Sequence, residues 1–445
     1  MPISPARVAA FEVLLRVERE SAYAMELLHA SRHANLSATN HGLASELVMG
    51  VLRWRSRLDR EITRHSSISL ARLDSEVLTS LRLAIYQLMF LDRIPARAAI
   101  HDGVELVKQA RKSSAAAFTN AVLRKLAKRG EKALAVEIPA CQTSAQLSAQ
   151  FAHPQWLVER WVREFGFDCA VKICNYDQQV PETTIRVTDP ADEDELTREG
   201  VRLVPGRILS SARRAAIGNS TVTAAFRQGR VAFQDEASQL VSLLVGQGTT
   251  ILDCCAAPGG KTRVLAQQNP SATILAVELH SHRARLLRKL VSAPNVRVVA
   301  ADVRMLPLVA GFDRVLVDAP CSGTGTLARN PEIKWRLRIE DLTDLRDRQI
   351  SILRSAMQRV SPKGRLVYAT CSLEREENQN VVDSALSSDS SFKLLEAREY
   401  LETLRAQREL LWQDLTSLLI GPYLRTIPGV HPCDGFFAAI LEKVS

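Results

Sequence analysis

The chain has 445 residues, more than one compact core usually holds, so two or three domains are expected. Hydrophobic residues make up 46% and charged residues 24%, which excludes a largely disordered chain, and no apolar run approaches the ~18 residues of a membrane span. Lys and Arg number 58 against 49 Asp and Glu, a net charge of +9 that suits a polyanionic partner such as nucleic acid, although any soluble basic protein shows the same excess.

From Ser4 to about residue 130, apolar residues recur at spacings of three and four, as in Val8, Phe11, Leu14 and Leu15, then Leu43, Leu47, Val51 and Leu58. This pattern predicts a small bundle of antiparallel helices, with breaks at 35–40, at 66–69 and at Pro95. The last part of the bundle is basic: Lys108, Arg111, Lys112, Arg124, Lys125, Lys128 and Arg129 are opposed only by Asp102 and Glu105. Contact with RNA phosphates is one reading of that cluster, and solvation of a helix face is the simpler one for each residue taken singly. Arg7 and Glu12 sit within an amphipathic pattern where a secretory leader would be apolar, so a cytoplasmic protein is expected. The eight cysteines form no CxxC pair, and neither a disulfide framework nor a structural metal is expected.

Residues 141–232 mix signals: a helix around 156–165, a β-branched run at 183–187, an acidic helix start at 192–195 and a strand near Val231. No site motif lies there, and a connecting α/β domain is expected. From Phe233 onward short strand-like runs alternate with helical patterns, the reading of a parallel α/β sheet. Strands are predicted at 250–254, 273–277, 296–300, 314–317 and 365–369, with 436–441 a late edge or hairpin strand. In open sheets of this kind ligands bind beyond the carboxyl ends of the strands.

The first predicted strand runs into Cys255-Ala256-Ala257-Pro258-Gly259-Gly260-Lys261, a small-residue turn opening a helix, where backbone can approach a ligand closely. A phosphate-binding loop would need a glycine five positions before Gly260, where Cys255 stands, and there is no GxGxxG. Glu278 ends the second strand, 25 residues after Asp253 (278 − 253), where a carboxylate can accept both ribose hydroxyls of an adenosine ligand. Asp302, just past the third strand, is placed to receive an adenine amino group. One such residue is commonly just a helix cap, but carboxylates at successive strand ends behind a Gly-rich turn are less usual. The fourth strand leads into Asp318-Ala319-Pro320-Cys321 and the fifth into Thr370-Cys371-Ser372, so two cysteines 50 residues apart (371 − 321) are predicted at one rim of the sheet. A lone cysteine is usually a small buried hydrophobe; here two share a ligand-binding edge.

The strings DCCAAPGGKT, DAPCSGTG and ATCS, with RNPEIKW at 329–335 and EEN at 376–378, closely resemble the Sun/Fmu family of RNA cytosine-5 methyltransferases. The similarity covers nearly the whole chain, since bacterial members carry a NusB-like amino-terminal bundle and act on 16S ribosomal RNA. Two departures are Cys254, in place of a plain apolar strand residue, and Glu278, in place of the commoner Asp. The resemblance implies a multi-domain chain: an all-α NusB-like RNA-binding bundle at 1–140, a small α/β connecting domain at 141–232, and a Rossmann-like class I methyltransferase domain at 233–445. It implies S-adenosyl-L-methionine as cofactor, its methionine and ribose parts wrapped by Cys255, Ala256, Ala257, Pro258, Gly259, Gly260 and Lys261, with Glu278, Asp302 and Asp318 completing the pocket.

Carbon 5 of cytosine is too weak a nucleophile to take a methyl group directly, so a thiolate must first add to carbon 6. The resemblance implies Cys371 as that nucleophile and Cys321 as the group assisting product release, with Asp318 the acid near ring nitrogen 3. DNA cytosine-5 methyltransferases carry their nucleophile in a Pro-Cys motif like Pro320-Cys321, and spacing leaves the two assignments open. Lys261 is a candidate to stabilise Asp318 or the target base. The 329–335 loop is a candidate for cationic and stacking contacts to a base swung out of its stack, with core packing of Trp335 the alternative. A monomer acting on RNA is expected; a DNA enzyme, or an inactive RNA-binding ribosome-assembly factor, are the other readings. Residues 400–425 read as a long helical run with no assigned role.

Overall fold

The computed structural model describes residues 3–20, 22–28, 36–128, 141–187, 189–217, 223–306 and 311–444. Arg129 of the basic cluster, residue 35 of the first predicted break and the boundary residue 140 lie outside them. The chain divides into two compact units, Met1–Val180 with Leu327–Arg336, and Pro181–Thr326 with Leu337–Ser445. Residues 141–232 are shared between them: helices Ser144–Gln150, Gln155–Phe165 and Phe167–Asp177 go with the first unit, and a four-stranded sheet with the second. Among the described residues no helix is long and apolar enough to cross a membrane.

The first unit is helical, as its 3.6-residue periodicity predicts. Its longest helix, Ala38–His65, starts at Ser37, whose Oγ accepts the Asn40 N–H at 3.3 Å, and its buried face carries Leu47, Val48, Val51, Leu58 and Ile62. Gly50 allows the closest helix approach here: a Cβ would stand 2.0 Å from the Tyr86 ring on helix Ser75–Phe90, whose hydroxyl donates to Glu46 at 2.5 Å. The described part of the basic cluster lies on helices Ala96–Gln109 and Ala116–Ala127 and in the turns after them, with Lys108, Arg111, Arg124, Lys125 and Lys128 exposed.

Segment Leu327–Arg336, which the chain delivers from the second unit, is built into this helical core. Lys334 is 1% exposed and its Nζ donates to Arg53 O at 2.9 Å, Trp335 Nε1 donates to Leu52 O at 2.6 Å, and Glu332 Oε1 accepts the Ala24 N–H at 2.9 Å. Three side chains of the 329–335 loop are thus bonded within the helical unit, Glu332 and Lys334 buried and Trp335 half-buried. Burial, against the pull of Asp177, pushes the Lys334 ammonium down to about 7.

The second unit opens with β1 (Thr184–Arg186), β2 (Arg202–Pro205), β3 (Ala212–Ile217) and β4 (Ala232–Phe233), antiparallel in the order β2-β3-β1-β4. Helix Pro190–Arg198, capped by Asp189, closes their core of Ile185, Val187, Leu196, Val201, Ala225 and Val231. The large sheet comprises β5 (Thr250–Asp253), β6 (Thr273–Glu278), β7 (Val296–Ala300), β8 (Phe312–Asp318), β9 (Val360–Thr370), β10 (Phe392–Leu395), β11 (Leu419–Ile420), β12 (Tyr423–Thr426) and β13 (Phe436–Lys443). Its order is β11-β12-β13-β9-β8-β5-β6-β7, with β10 also pairing β13. The run from β9 to β7 is parallel and matches the five predicted strands. From β5 the chain steps to β6 and β7 and then returns to β8 on the other side, so the crevice at a topological switch point opens above β5.

Two expectations are corrected. β13 pairs with β12 as a hairpin but is no edge: it lies between β9 and the β12 and β10 strands, and Phe436 to Leu441 are all buried. Its unbroken apolar run is the mark of a strand covered on both faces, where an edge strand would alternate. The helical run predicted over 400–425 stops early, since helix Ala397–Ala406 gives way to a 3-10 turn and the β11–β12 hairpin.

Candidate active site

The site lies wholly in the second unit, at the carboxyl ends of β5 to β9. β5 ends at the fully buried Asp253, whose carboxyl accepts Thr262 Oγ1 at 2.7 Å and is pushed up to about 7 by burial. The turn that follows enters helix Gly260–Gln268 through Gly259, at φ +116, where an added Cβ would stand 2.6 Å from Val291. Only glycine meets both demands, a left-handed backbone and contact with the next helix. Cys255, Ala256, Ala257 and Pro258 form the turn itself, and burial pushes the Cys255 thiol up.

Glu278 ends β6 and is 4% exposed; its Oε1 accepts the His280 N–H at 2.9 Å, and Arg283 lies 3.7 Å from Oε2. Asp302, beyond β7, accepts the Arg304 N–H at 2.9 Å as a cap of the next turn and is also clasped by the Arg304 guanidinium at 2.6 Å, which holds its carboxyl low. It is thus a cap as well as a carboxylate on the rim. Asp318 ends β8 and accepts Lys261 Nζ at 2.8 Å. Burial works against the Lys261 charge, but Asp318 outweighs it and holds the ammonium above its ordinary range, 4.8 Å from the Phe436 ring centroid. Of the two roles open to Lys261, pairing with Asp318 is the one the side chains adopt.

Acceptors at the ends of β6, β7 and β8 share the carboxyl edge of the sheet with a turn of small residues and the N-terminus of helix Gly260–Gln268. That set fits S-adenosylmethionine, which presents a ribose diol, an exocyclic amine and a cationic methionyl end.

β8 and β9 run parallel in register, Asp318 opposite Ala369, and the Ala319 N–H donates to Ala369 O at 2.9 Å. The loops leaving the two strands therefore start side by side, and Cys321 and Cys371 meet with their Sγ atoms 3.4 Å apart. The hydrogen bond with Cys371, then burial, push the Cys321 thiol up, and either sulfur can be the donor of that contact. Both side chains are partly open to solvent, unlike Cys254, Cys174 and Cys433.

Sequence reasoning missed the layer beneath the sulfurs. Glu377, fully buried, accepts from Ser322 N–H at 2.8 Å, Gln349 Nε2 at 2.9 Å, Ser372 Oγ at 2.5 Å and Ser322 Oγ. The only signal was the EEN string at 376–378, which identifies a motif without saying where its carboxyl points.

The family described as 16S rRNA methyltransferase RsmB/F matches residues 241–442, and the NusB family matches residues 4–128. The "Probable ribosomal RNA small subunit methyltransferase B" of Bacillus subtilis (strain 168) is 32% identical over 457 residues, covering 98% of each chain. The ribosomal RNA small subunit methyltransferase B of Cronobacter sakazakii is 32% identical over 427 residues, covering 92% of each. The crystal structure of PH0851 shares the fold, with a TM-score of 0.80 at 23% identity and full coverage of both chains.

Proposed function

The chain belongs to the RsmB/F family of S-adenosylmethionine-dependent methyltransferases, and from that premise we propose that it methylates carbon 5 of a cytosine in 16S ribosomal RNA through a covalent cysteine adduct. The observation that carries this reading is the Cys321–Cys371 pair, Sγ atoms 3.4 Å apart beside the Lys261–Asp318 ion pair at the strand ends.

By resemblance to the family Cys371 is assigned as the nucleophile, with Cys321 Sγ 3.4 Å from its sulfur. Its sulfur adds to ring carbon 6, which makes carbon 5 an enamine carbon able to attack an electrophile. In its protonated form Asp318 donates its proton to ring nitrogen 3 as the ring accepts charge, and Lys261 Nζ, 2.8 Å away, stabilises the carboxylate left behind. The 255–261 turn with Glu278, Asp302 and Asp318 would hold S-adenosylmethionine, which would supply the methyl group. A base then takes the proton from carbon 5, the carbon 6–sulfur bond breaks, and the Cys371 thiolate leaves with the bonding pair. Cys321 assists that release. The target base is unstacked or single-stranded, since carbon 6 is hidden within a helix.

The helical unit contributes RNA affinity through the exposed Lys108, Arg111, Arg124, Lys125 and Lys128. The RNA-binding part in this reading is the helical region within 1–140, while 141–232 divides between the two units.

Bisulfite mapping of ribosomal RNA from cells with and without the protein identifies the substrate: one cytosine should lose its protection in the deletion strain. Purified Cys321→Ala should accumulate a covalent protein–RNA adduct and Cys371→Ala should form none. The reverse pattern exchanges the two cysteines, and no change in any cytosine rejects the reading.

A further inference from the structure

Cys321 and Cys371 sit on loops 50 residues apart in sequence, yet the residues after them are as closely matched as the sulfurs: Ser322 Oγ and Ser372 Oγ are 3.0 Å apart. We propose that Glu377 is a positioning residue that sets the spacing of the two thiols by holding both cysteine loops on one carboxyl group. This rests on the reading of the two cysteines as the reacting pair.

The donor count supports it. A carboxylate offers about four lone-pair sites on two oxygens, and four donors converge on Glu377: the Ser322 N–H at 2.8 Å, Gln349 Nε2 at 2.9 Å, Ser372 Oγ at 2.5 Å and Ser322 Oγ. Two of those donors come from the loop of Cys321, one from the loop of Cys371, and one from helix Asp341–Met357, where Gln349 also donates to Pro320 O at 2.9 Å. The Glu377 turn is itself anchored. Tyr368 OH donates to Glu377 O at 2.6 Å, and Asn378 accepts Thr370 Oγ1 at 2.5 Å while donating to Ser372 O at 2.9 Å. An amide in place of the carboxyl would bring two N–H groups into a nest of donors and leave only half the acceptor sites, so the loops would lose their common anchor.

Phenylarsine oxide tests the spacing directly, because it condenses with two neighbouring thiols, releasing water, and forms a cyclic adduct only when the sulfurs are held close. Full-length wild-type protein should be bridged between Cys321 and Cys371, as read by peptide mass spectrometry, and Cys321→Ala should lose the bridge. In Glu377→Gln, bridging and kcat for RNA methylation should each fall at least about tenfold, while KM for RNA and cofactor affinity stay within about twofold. Wild-type bridging and turnover in Glu377→Gln would overturn the proposal. Should that variant fail to fold, Ser322→Ala decides by the same readout, with slower bridging expected and unchanged bridging fatal. If Cys371→Ala methylates RNA normally, the assignment of the reacting thiols falls, while the bridging rates still report whether Glu377 sets the spacing.

Discussion

Gly325→Ala tests the catalytic geometry at its tightest backbone contact. Gly325 N–H donates to Cys371 O at 2.9 Å, and its own carbonyl accepts the Gly435 N–H at 2.7 Å. A Cβ here would stand 2.2 Å from Gly435 O, 2.7 Å from its carbonyl carbon and 2.8 Å from its Cα, all backbone atoms that no rotamer change can move. Restoring ordinary contact needs a displacement of about 1 Å, and overpacking of that kind costs roughly 1–3 kcal/mol. The unit should therefore lose roughly 2–10 °C of Tm. Because the strained loop carries Cys321 and is bonded to the carbonyl of Cys371, the shift falls on the spacing of the sulfurs, and a misplacement of about 1 Å costs on the order of 100-fold in rate. The assay is single-turnover transfer of labelled methyl to the RNA substrate at saturating cofactor, with Tm from scanning calorimetry. Gly42→Ala is the control: it lies exposed in helix Ala38–His65 with nothing within 4 Å of an added Cβ, and should gain roughly 0.5–1 kcal/mol with activity unchanged. A Gly325→Ala protein with the wild-type single-turnover rate would refute the idea that this contact sets the thiol geometry.

Lys334, pushed down to about 7 in the folded state, stays protonated to near 10.5 when unfolded, so between those values the unfolded chain binds more protons and stability rises with pH. The burial cost is fully present below pH 7 and is relieved above it, by at most about 1.4 kcal/mol per pH unit. Lys334→Met should flatten that slope in urea titrations followed by tryptophan fluorescence, to which the helical unit contributes four of the five tryptophans. Asp313 carries the opposite sign. Burial works against its charge, but bonds from the Thr249 and Thr250 N–H groups, both at 2.7 Å, and from their hydroxyls hold it down to about 2. Its contribution is present above pH ~4 and lost as pH falls toward 2, so Asp313→Asn should unfold with less dependence on pH in that window. For the basic face, Arg124→Ala with Lys125→Ala should weaken RNA binding and reduce the slope of log K against log salt by about 0.7 for each phosphate no longer neutralised on single-stranded RNA; an unchanged slope removes those residues from the interface.

The elements legible from sequence are those whose signal is local. The 3.6-residue period of 38–65, the strand-turn-helix at 250–262 and the carboxyl residues closing β6 and β8 each depend on a few neighbouring side chains. β13 reads as an edge or hairpin strand because a buried apolar run looks the same wherever it sits in the sheet. Lys334 reads as a cationic contact for RNA because a lysine is usually exposed, and only the carbonyl of Arg53 and the surrounding core place it inside.

What the linear chain determined by itself was the inventory and the order: a basic helical part, then an α/β part whose strand ends carry four acidic residues and two cysteines. What only the tertiary structure decided was distance. Parallel pairing of β8 with β9 brings two sulfurs 50 residues apart to 3.4 Å, and a buried carboxyl collects four donors from three separate segments. Both follow from long-range strand pairing and from the need to satisfy buried polar groups, and no local pattern encodes either.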